Sequence, residues 1–505
     1  MTRRRRGVQR RGVQPRGGSR SLDGLGDAGA GPAEPRGVRR RALAVAASVA
    51  VGIPLAACGS GHETGTINFY TNADSAAITK TASAACTKES GGKYKLKVHI
   101  LPKAADDQRL QLARRLAGND SGLDLMGLDV VWTAEFANAG WVEPVPDELA
   151  AKVAQTTLGG PLSSALWKTD SDSQKRLYAI PAWSNTQLLW YRPDLMKQYL
   201  GTTKAPTTWD EMLEATDKIR KAGGPSWIME QGAQYEGLMV WFNSVLISAG
   251  GSVVDPDDAT KQTLNDTPEH RAATLKALQI LKSVATAPGH DPSITNADET
   301  AGRLGMESGK AAFQINWPFV FASMRSNAAA GDVPFFKEMT KYSSLLNSEP
   351  EDSALGEVND LVRTKFEFAP YPGVTAGTPA KSTIGGLNIG VASTSKQKAL
   401  AFEAAECLTT PASQKIYAID GGNPPVLKSL YDDKDFKAAY PMGDIIGEQL
   451  AAGRAATRPA SPVYQSISTL VTATLSPVGS WDPESMVDKL ADQVQKAIDG
   501  KGLIP

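Results

Sequence analysis

The side chains best suited to chemistry are planar polar groups and one tryptophan that fall near the ends of predicted strands. They are Asn72, Gln108, Asp129, Asn185, Trp317 and Arg458. A sugar presents vicinal hydroxyls and apolar C–H faces, so it needs bidentate donors and acceptors together with a flat aromatic platform. These residue types therefore favour a site for a neutral polyol. Each has an ordinary alternative, such as Trp317 in a core, Arg458 in a surface ion pair or Gln108 on a solvated helix face.

The sequence motifs of common enzymes and metal sites are missing. The 4 histidines are scattered, no Cys/His cluster has zinc spacing, and neither a Gly-x-Ser-x-Gly elbow nor a His-Glu-x-x-His pair occurs. The stretch 305–310 is one residue short of a phosphate loop, and Ala311 stands where that loop needs Ser or Thr. Asp106 and Asp107 are placed to stabilise a helix N-terminus. The sequence therefore predicts a binding protein without cofactor or metal, and an exported glycosidase is the alternative from another class.

Charge is balanced over the whole chain but unevenly distributed. The 505 residues carry 54 Lys plus Arg and 54 Asp plus Glu, a formal net charge of +0. No global field therefore attracts nucleic acid, and we expect no nucleic-acid partner. Arginines are concentrated in residues 1–41, so the remainder of the chain is net acidic.

Residues 1–57 are predicted to be a disordered basic leader followed by a signal peptide. Arg and Gly dominate the first part without hydrophobic periodicity, and an apolar run too short to span a membrane follows Arg41. The run ends in Leu55-Ala56-Ala57-Cys58, which resembles the lipobox of bacterial lipoproteins, where the cysteine carries the lipid. We therefore predict lipidation at Cys58, a tether over residues 58–65 and an extracytoplasmic location on the outer face of the cell membrane.

Two further cysteines, Cys86 and Cys407, remain. An even pair in an oxidising compartment favours a disulfide, which over so long a loop contributes about 4–5 kcal/mol of stability. The alternative is a pair of buried thiols that pack as small apolar residues.

The chain from residue 66 to residue 140 predicts a parallel α/β sheet. Strand patterns at 66–70, 94–100 and 125–128 alternate with helix patterns at 78–86 and 106–117. The second helix is predicted to bury one face, which consists of Leu110, Ala113, Leu116 and Ala117. Ligands of such sheets bind beyond the carboxyl ends of the strands, which is where Asn72 and Asp129 fall.

The segment from Tyr178 to Asp194 is predicted to cross between two globular halves. A turn-prone Pro181 precedes the apolar run Leu188–Tyr191, which is typical of a buried strand. Strands advance about 3.3 Å per residue, so one strand can leave one half and enter another. Asn185 then faces the cleft between the halves; an ordinary core strand is the alternative.

A second α/β unit is predicted after this crossing, and the chain then returns to the first. Thr208 and Thr267 begin helices of the second unit, and a strand at 309–315 precedes Trp317. A Gly-rich strand at 385–391 and a helix capped by Ser395 are predicted to resume the first unit.

This order of parts resembles the extracytoplasmic solute-binding proteins of ABC importers, in the maltose-binding-like carbohydrate family and its mycobacterial trehalose-binding lipoproteins. The resemblance covers nearly all of residues 66–505 and is carried by segments 128–132, 178–181, 309–317, 385–387 and the helix pair 398–416. It implies an α/β, two-lobed periplasmic-binding-protein fold, each lobe a mostly parallel sheet flanked by helices, with a ligand cleft at the hinge. The implied lobes are residues 66–182 plus 387–432 and residues 183–386 plus 433–505.

The resemblance also implies the ligand contacts. The matching positions are Asn72, Gln108, Asp129, Asn185, Trp317, Gly386, Leu387 and Arg458, with looser matches at Tyr235 and Glu236. Asp129 is implied to bind sugar hydroxyls from the first lobe, Trp317 to stack on the sugar from the second, and Arg458 to close over it from the tail.

The implied function is that of a monomeric, lipid-anchored receptor that binds trehalose between two closing lobes and delivers it to a permease. The chain departs from maltodextrin binders at 232–242, where their aromatic subsites do not align, and this favours a short ligand. Another oligosaccharide or a glycerophosphodiester is the alternative ligand.

Overall fold

A computed structural model describes residues 63–73, 75–256, 258–348, 350–451 and 455–501. The predicted leader, the lipidation site Cys58 and most of the tether lie outside these residues. No helix within the described ranges is both long and apolar enough to cross a membrane.

The described strands are short and are spread along the chain. They are β1 Thr66–Thr71, β2 Lys95–Ile100, β3 Leu125–Asp129, β4 Leu166–Trp167, β5 Arg176–Leu177, β6 Ile180–Thr186, β7 Leu188–Tyr191, β8 Trp227–Met229, β9 Ala311–Asn316, β10 Glu367–Ala369, β11 Ser382–Val391 and β12 Ala455–Ala456.

Helices fill most of the sequence between these strands. They are α1 Ala76–Glu89, α2 Ala105–Ala117, α3 Thr133–Asn138, α4 Asp147–Thr156, α5 Gly159–Ser164, α6 Pro193–Leu200, α7 Trp209–Lys221, α8 Glu236–Ser248, α9 Pro268–Thr286, α10 Glu299–Glu307, α11 Phe319–Ala330, α12 Ser343–Leu346, α13 Gly356–Arg363, α14 Lys398–Leu408, α15 Pro411–Lys415, α16 Lys434–Ala439, α17 Gly443–Leu450, α18 Tyr464–Leu475 and α19 Pro483–Ile498. Thr208 and Thr267 accept hydrogen bonds from the first turns of α7 and α9, so both predicted helix starts are confirmed.

The first sheet has the strand order β12-β11-β3-β1-β2, with β6 paired to β11. Strand β1 lies parallel to β2 and β3, as predicted, whereas β11 runs antiparallel to β3 and β6. Phe69 and Leu125 pack on one face of this sheet, and Tyr70 and Met126 pack on the other. The strand alternation therefore builds a core on each side of the sheet.

The second sheet has the order β10-β7-β9-β8. Its pairs β7–β9 and β10–β7 are antiparallel and only β8–β9 is parallel, so the expectation of a mostly parallel sheet is wrong for this half. The reason is that the chain enters β7 directly from the crossing segment and not through a helical crossover, which is the connection that parallel strands need. Leu188 and Trp190 pack on one face and Leu189 and Tyr191 on the other, which explains the continuous apolar run.

The predicted crossing consists of two strands with Gln187 between them. Strand β6 belongs to the first sheet and β7 to the second. Gln449 Nε2 donates to Thr186 Oγ1 at 2.5 Å, and Ser382 Oγ donates to the Gln187 carbonyl at 3.2 Å. Buried hydrogen bonds from other segments therefore hold the passage between the sheets. The lobe boundaries given above remain a prediction.

Cys86 on α1 and Cys407 on α14 are joined as a disulfide with a Cα–Cα distance of 5.8 Å. The pair spans 321 residues of sequence and links two helices that cover the first sheet. This geometry agrees with the pairing predicted from the cysteine count.

Two local expectations are wrong. Helix α2 buries Leu116 as predicted, but its other buried residues are Gln108 and Leu112 instead of Leu110, Ala113 and Ala117. The helix packs against the sheet with a face that is rotated from the predicted one. Ser395 does not cap α14: its hydroxyl donates to Asp124 Oδ1 at 2.6 Å, and the residue before the helix is Gln397.

Candidate functional site

Asp129 ends β3, the strand that pairs with β11 in the first sheet. The backbone N–H of Val131 donates to Asp129 Oδ1 at 3.2 Å. The turn after the strand therefore fixes the carboxylate at the carboxyl edge of the sheet, as predicted.

Arg458 connects this carboxylate to the second lobe. Its Nη2 donates to Asp129 Oδ1 at 2.5 Å and its Nη1 donates to Glu236 Oε1 at 2.6 Å. The arginine side chain is only 2% exposed. Glu236 begins α8, which packs in the core of the second sheet, so one guanidinium joins the first sheet to a helix of the second.

Two hydroxyl groups on α18 donate further hydrogen bonds to the Glu236 carboxylate. Tyr464 Oη donates to Oε1, and Ser468 Oγ donates to Oε2 at 2.5 Å. We call Asp129, Glu236, Arg458, Tyr464 and Ser468 the charge cluster.

Burial and ion pairing have opposite effects on the pKa values of Glu236 and Arg458 in this cluster. Burial raises the pKa of Glu236 above its usual range, while Arg458 opposes that shift. For Arg458, burial alone would lower the pKa, but Asp129, Tyr464 and Glu236 raise it overall. The guanidinium therefore stays protonated, and its charge stabilises two carboxylates.

Asn185, Trp317 and Gly385 form a second polar region, which we call the amide–indole pocket. A Cβ built on Gly385 would lie 2.4 Å from Asn185 Oδ1 and 3.0 Å from Trp317 Cη2. Asn185 is 8% exposed, and its Oδ1 accepts no hydrogen bond from the described residues. The pocket thus combines a buried acceptor with a partly exposed aromatic ring, the two features that a sugar requires.

Gly386 and Leu387 lie where β11 passes between β6 and β3. Gly386 has φ +136°, and a Cβ there would lie 2.5 Å from the Trp183 carbonyl oxygen. The close approach of β6 therefore requires glycine at this position. Leu387 pairs with Asp129 on one side and Trp183 on the other, so the return strand connects the two polar regions.

Asn72 and Gln108 form local hydrogen bonds. Asn72 Oδ1 accepts the Ser75 backbone N–H at 3.2 Å, which orders the turn into α1. Gln108 Nε2 donates to the Lys103 carbonyl at 3.0 Å and is buried rather than solvated. Their ligand contacts remain a prediction.

Three residues of these regions escaped the sequence reasoning. Tyr464 and Ser468 stand in an ordinary amphipathic helix, and nothing in their local pattern marks them. Gly385 belongs to a recognisable Gly-rich strand, but its function depends on which side chains face it. Glu236 was only a loose match, although a carboxylate at the start of an otherwise apolar helix is a usable signal.

A cavity borders the charge cluster on the side of the first sheet. Its lining includes Val130, Val131, Trp167, Ile384 and Arg458. It therefore offers apolar surface next to charged donors and acceptors.

Comparison with known proteins gives concordant matches. The family model described as bacterial extracellular solute-binding protein matches residues 73–415. A probable ABC transporter-binding protein of Deinococcus radiodurans is 27% identical over 379 residues, which is 72% of this chain and 76% of the relative.

Solved structures with similar folds include maltose-bound MalE3 of T. maritima, with a TM-score of 0.69 and 24% identity over 85% of this chain and 99% of that one. UgpB of Mycobacterium tuberculosis in complex with glycerophosphocholine gives a TM-score of 0.65 and 18% identity over 86% and 99% of the two chains. The GacH receptor of Streptomyces glaucescens, solved unliganded and with acarbose, gives a TM-score of 0.65 and 20% identity over 86% of this chain and 99% of that one.

Proposed function

We propose that this chain, which belongs to the family of bacterial extracellular solute-binding proteins, binds the disaccharide trehalose between its two lobes. The family confirms the predicted two-lobed fold and the prediction that the chain is not an enzyme. We propose that it is the substrate-binding component of an ABC importer with a sugar as its substrate, which the probable ABC transporter-binding relative and the maltose-bound structural neighbour support. Trehalose is our own, finer proposal, as is the likeness to the mycobacterial trehalose-binding lipoproteins.

The observation that carries the proposal is the amide–indole pocket. Asn185 Oδ1 is buried without a donor among the described residues, and a buried acceptor left unpaired costs about 1–3 kcal/mol. A sugar hydroxyl supplies that donor, and the Trp317 ring offers a face for the sugar's C–H groups. Asp129 and Arg458 then provide an acceptor and a donor for hydroxyls at the other end of a short ligand.

Charge favours a neutral ligand over a glycerophosphodiester. In the charge cluster, two carboxylates already bond the single guanidinium of Arg458. A phosphodiester brings another negative charge, which Asp129 and Glu236 would repel. The similarity to UgpB, at 18% identity, concerns the fold.

Calorimetry tests the ligand. Trehalose is expected to give a saturable heat signal with one site per chain, whereas glycerophosphocholine should give none. Asp129→Ala should weaken trehalose binding by about 1.5–3 kcal/mol because a charged hydrogen bond is lost. Saturable binding of glycerophosphocholine without binding of trehalose would refute the proposal, and normal trehalose affinity in Asp129→Ala would reject the assigned site.

We further propose that a signal peptide exports the chain, that a lipid on Cys58 holds it at the outer face of the membrane, and that it acts there as a monomer. The sequence Leu55-Ala56-Ala57-Cys58 supports this, as does the extracellular character of the family. Cys58→Ala should move the protein from the membrane fraction to the medium or the soluble extracytoplasmic fraction. Continued sedimentation with membranes would refute the lipid anchor.

A further inference from the structure

The charge cluster joins three separate parts of the chain. Asp129 belongs to the first sheet, Glu236 begins a helix that packs on the second sheet, and Arg458 stands in the tail. Tyr464 and Ser468 lie on α18, whose apolar residues pack in the same core as α8. With the predicted lobe boundaries, only the bond between Arg458 and Asp129 crosses from one lobe to the other; in either assignment of Arg458, its guanidinium joins the first sheet to α8.

Glu236 is the residue that determines where the guanidinium points. One of its oxygens accepts from Arg458 and Tyr464, and the other accepts from Ser468. The carboxylate is therefore fixed to the second lobe by two hydroxyls and cannot turn away. An arginine side chain has many rotamers, and a fixed carboxylate on Nη1 selects those that aim Nη2 at Asp129.

We propose that Glu236 is a positioning residue that turns Arg458 into a latch between the lobes, so that the closed form is stabilised before any sugar is bound. The ligand then meets a receptor that is already partly closed. This inference rests on the two-lobed solute-binding role, and it uses the proposed sugar only for one of its readouts.

Two other polar contacts cross between the lobes nearby, but both are more exposed. Gln465 Nε2 donates to Asp106 Oδ1 at 2.6 Å, and Lys103 Nζ lies 3.7 Å from Asp298 Oδ2. The side chains of Lys103 and Asp298 are 65% and 40% exposed, against 2% for Arg458. Exposed pairs contribute little and are screened by salt, so of these three contacts the charge cluster contributes most to closure.

The latch has a consequence for affinity. When only a fraction of the molecules is in the binding-competent form, the apparent dissociation constant rises by the reciprocal of that fraction. Loss of the Glu236 charge frees Arg458, lowers the closed fraction and weakens sugar binding, although Glu236 itself need not contact the sugar.

Small-angle scattering of the sugar-free chain provides the test. Wild type, Glu236→Gln and the surface control Glu357→Gln are measured at about 0.01 M and about 1 M salt. We expect a larger radius of gyration for Glu236→Gln than for wild type and the control at both salt concentrations, because a buried ion pair is screened much less by salt than an exposed one. Circular dichroism melting verifies that each variant is folded.

Identical sugar-free profiles for wild type and Glu236→Gln at both salt concentrations would overturn the latch. If Glu236→Gln does not fold, Ser468→Ala carries the same test, because it removes a donor that fixes Glu236 and leaves all three charges; an unchanged profile for this variant would also overturn the proposal. A difference that disappears at high salt would assign closure to the exposed contacts and would also overturn the latch.

Sugar binding separates this inference from the proposed function. Glu236→Gln should bind trehalose about tenfold more weakly, and the loss should persist at high salt because the cluster is buried. If wild type binds no trehalose, the proposed function fails, but the scattering comparison without sugar still decides whether the latch exists.

Discussion

The charge cluster and the amide–indole pocket are two polar regions that differ in how far protein groups supply their hydrogen bonds. In the charge cluster, protein groups bond both carboxylates and both terminal nitrogens of Arg458. In the pocket, Asn185 Oδ1 has no donor among the described residues. The return strand β11 lies between the two regions, since Gly385 faces the pocket and Leu387 pairs with Asp129.

The difference separates closure from ligand recognition. In the cluster only Arg458 Nε lacks an acceptor among the described residues, so its charged groups contribute to the stability of the closed form whether or not a ligand is present. A buried acceptor without a donor destabilises the protein until a ligand supplies one. We therefore expect substitutions in the cluster to act mainly on stability and closure, and substitutions in the pocket to act mainly on affinity.

The largest expected effect is on stability, from Arg458→Ala. Removing the guanidinium leaves Asp129 and Glu236 as unpaired carboxylates, and breaking a buried pair in this way costs about 3 kcal/mol of unfolding free energy. Urea unfolding measures it. The control Arg271→Ala breaks a pair with Asp488 that is 38% and 60% exposed and should cost less than about 1 kcal/mol. Equal losses in the two variants would contradict the assignment.

Gly385→Ala should weaken trehalose binding by about 2 kcal/mol with a smaller loss of stability. The added methyl group would lie 2.4 Å from Asn185 Oδ1, so it displaces the amide and the indole from their positions. Calorimetry measures the change. The control is Gly356→Ala, where a Cβ has nothing within 4 Å and affinity should be normal. Wild-type affinity in Gly385→Ala would show that the pocket does not bind the sugar.

Asn185→Ala sharpens the comparison because it removes the acceptor without adding bulk. Trehalose affinity should fall by about 1.5 kcal/mol, while the unfolding free energy changes by less than about 1 kcal/mol, since no protein hydrogen bond to Oδ1 is lost. The exposed Asn347→Ala should alter neither quantity. A loss of unfolding free energy larger than the loss of binding free energy would show that Asn185, like the charge cluster, acts mainly on stability.

The smallest expected effect is a pH dependence that originates in Glu236. Burial raises its pKa in the folded state, so the folded protein holds this proton more tightly than the unfolded chain. The stability contributed by this group is present below the unfolded-state pKa and is lost as pH rises through the folded-state value. Urea unfolding between about pH 4 and 7 should therefore give a difference between wild type and Glu236→Gln that changes in this direction. A constant difference would exclude Glu236 as its source.

Much of the fold follows from local pattern. The alternation of strand and helix signals predicted β1, α1, β2, α2 and β3, and side-chain chemistry at Thr208 and Thr267 fixed two helix starts. These features depend on neighbours a few residues away, which the sequence displays directly. The antiparallel pairing in the second sheet and the buried face of α2 depend on distant partners, and both expectations were wrong.

For the candidate site, residue type, position in the chain and the family resemblance selected Asp129, Asn185, Trp317 and Arg458 as candidates, and their ligand contacts stay a prediction. Only the tertiary structure decided that Arg458 bonds Asp129 across 329 positions and Glu236 across 222. Hydrogen bonds depend on distances of a few tenths of an ångström, and those distances are set by the packing of whole lobes rather than by any local run of residues.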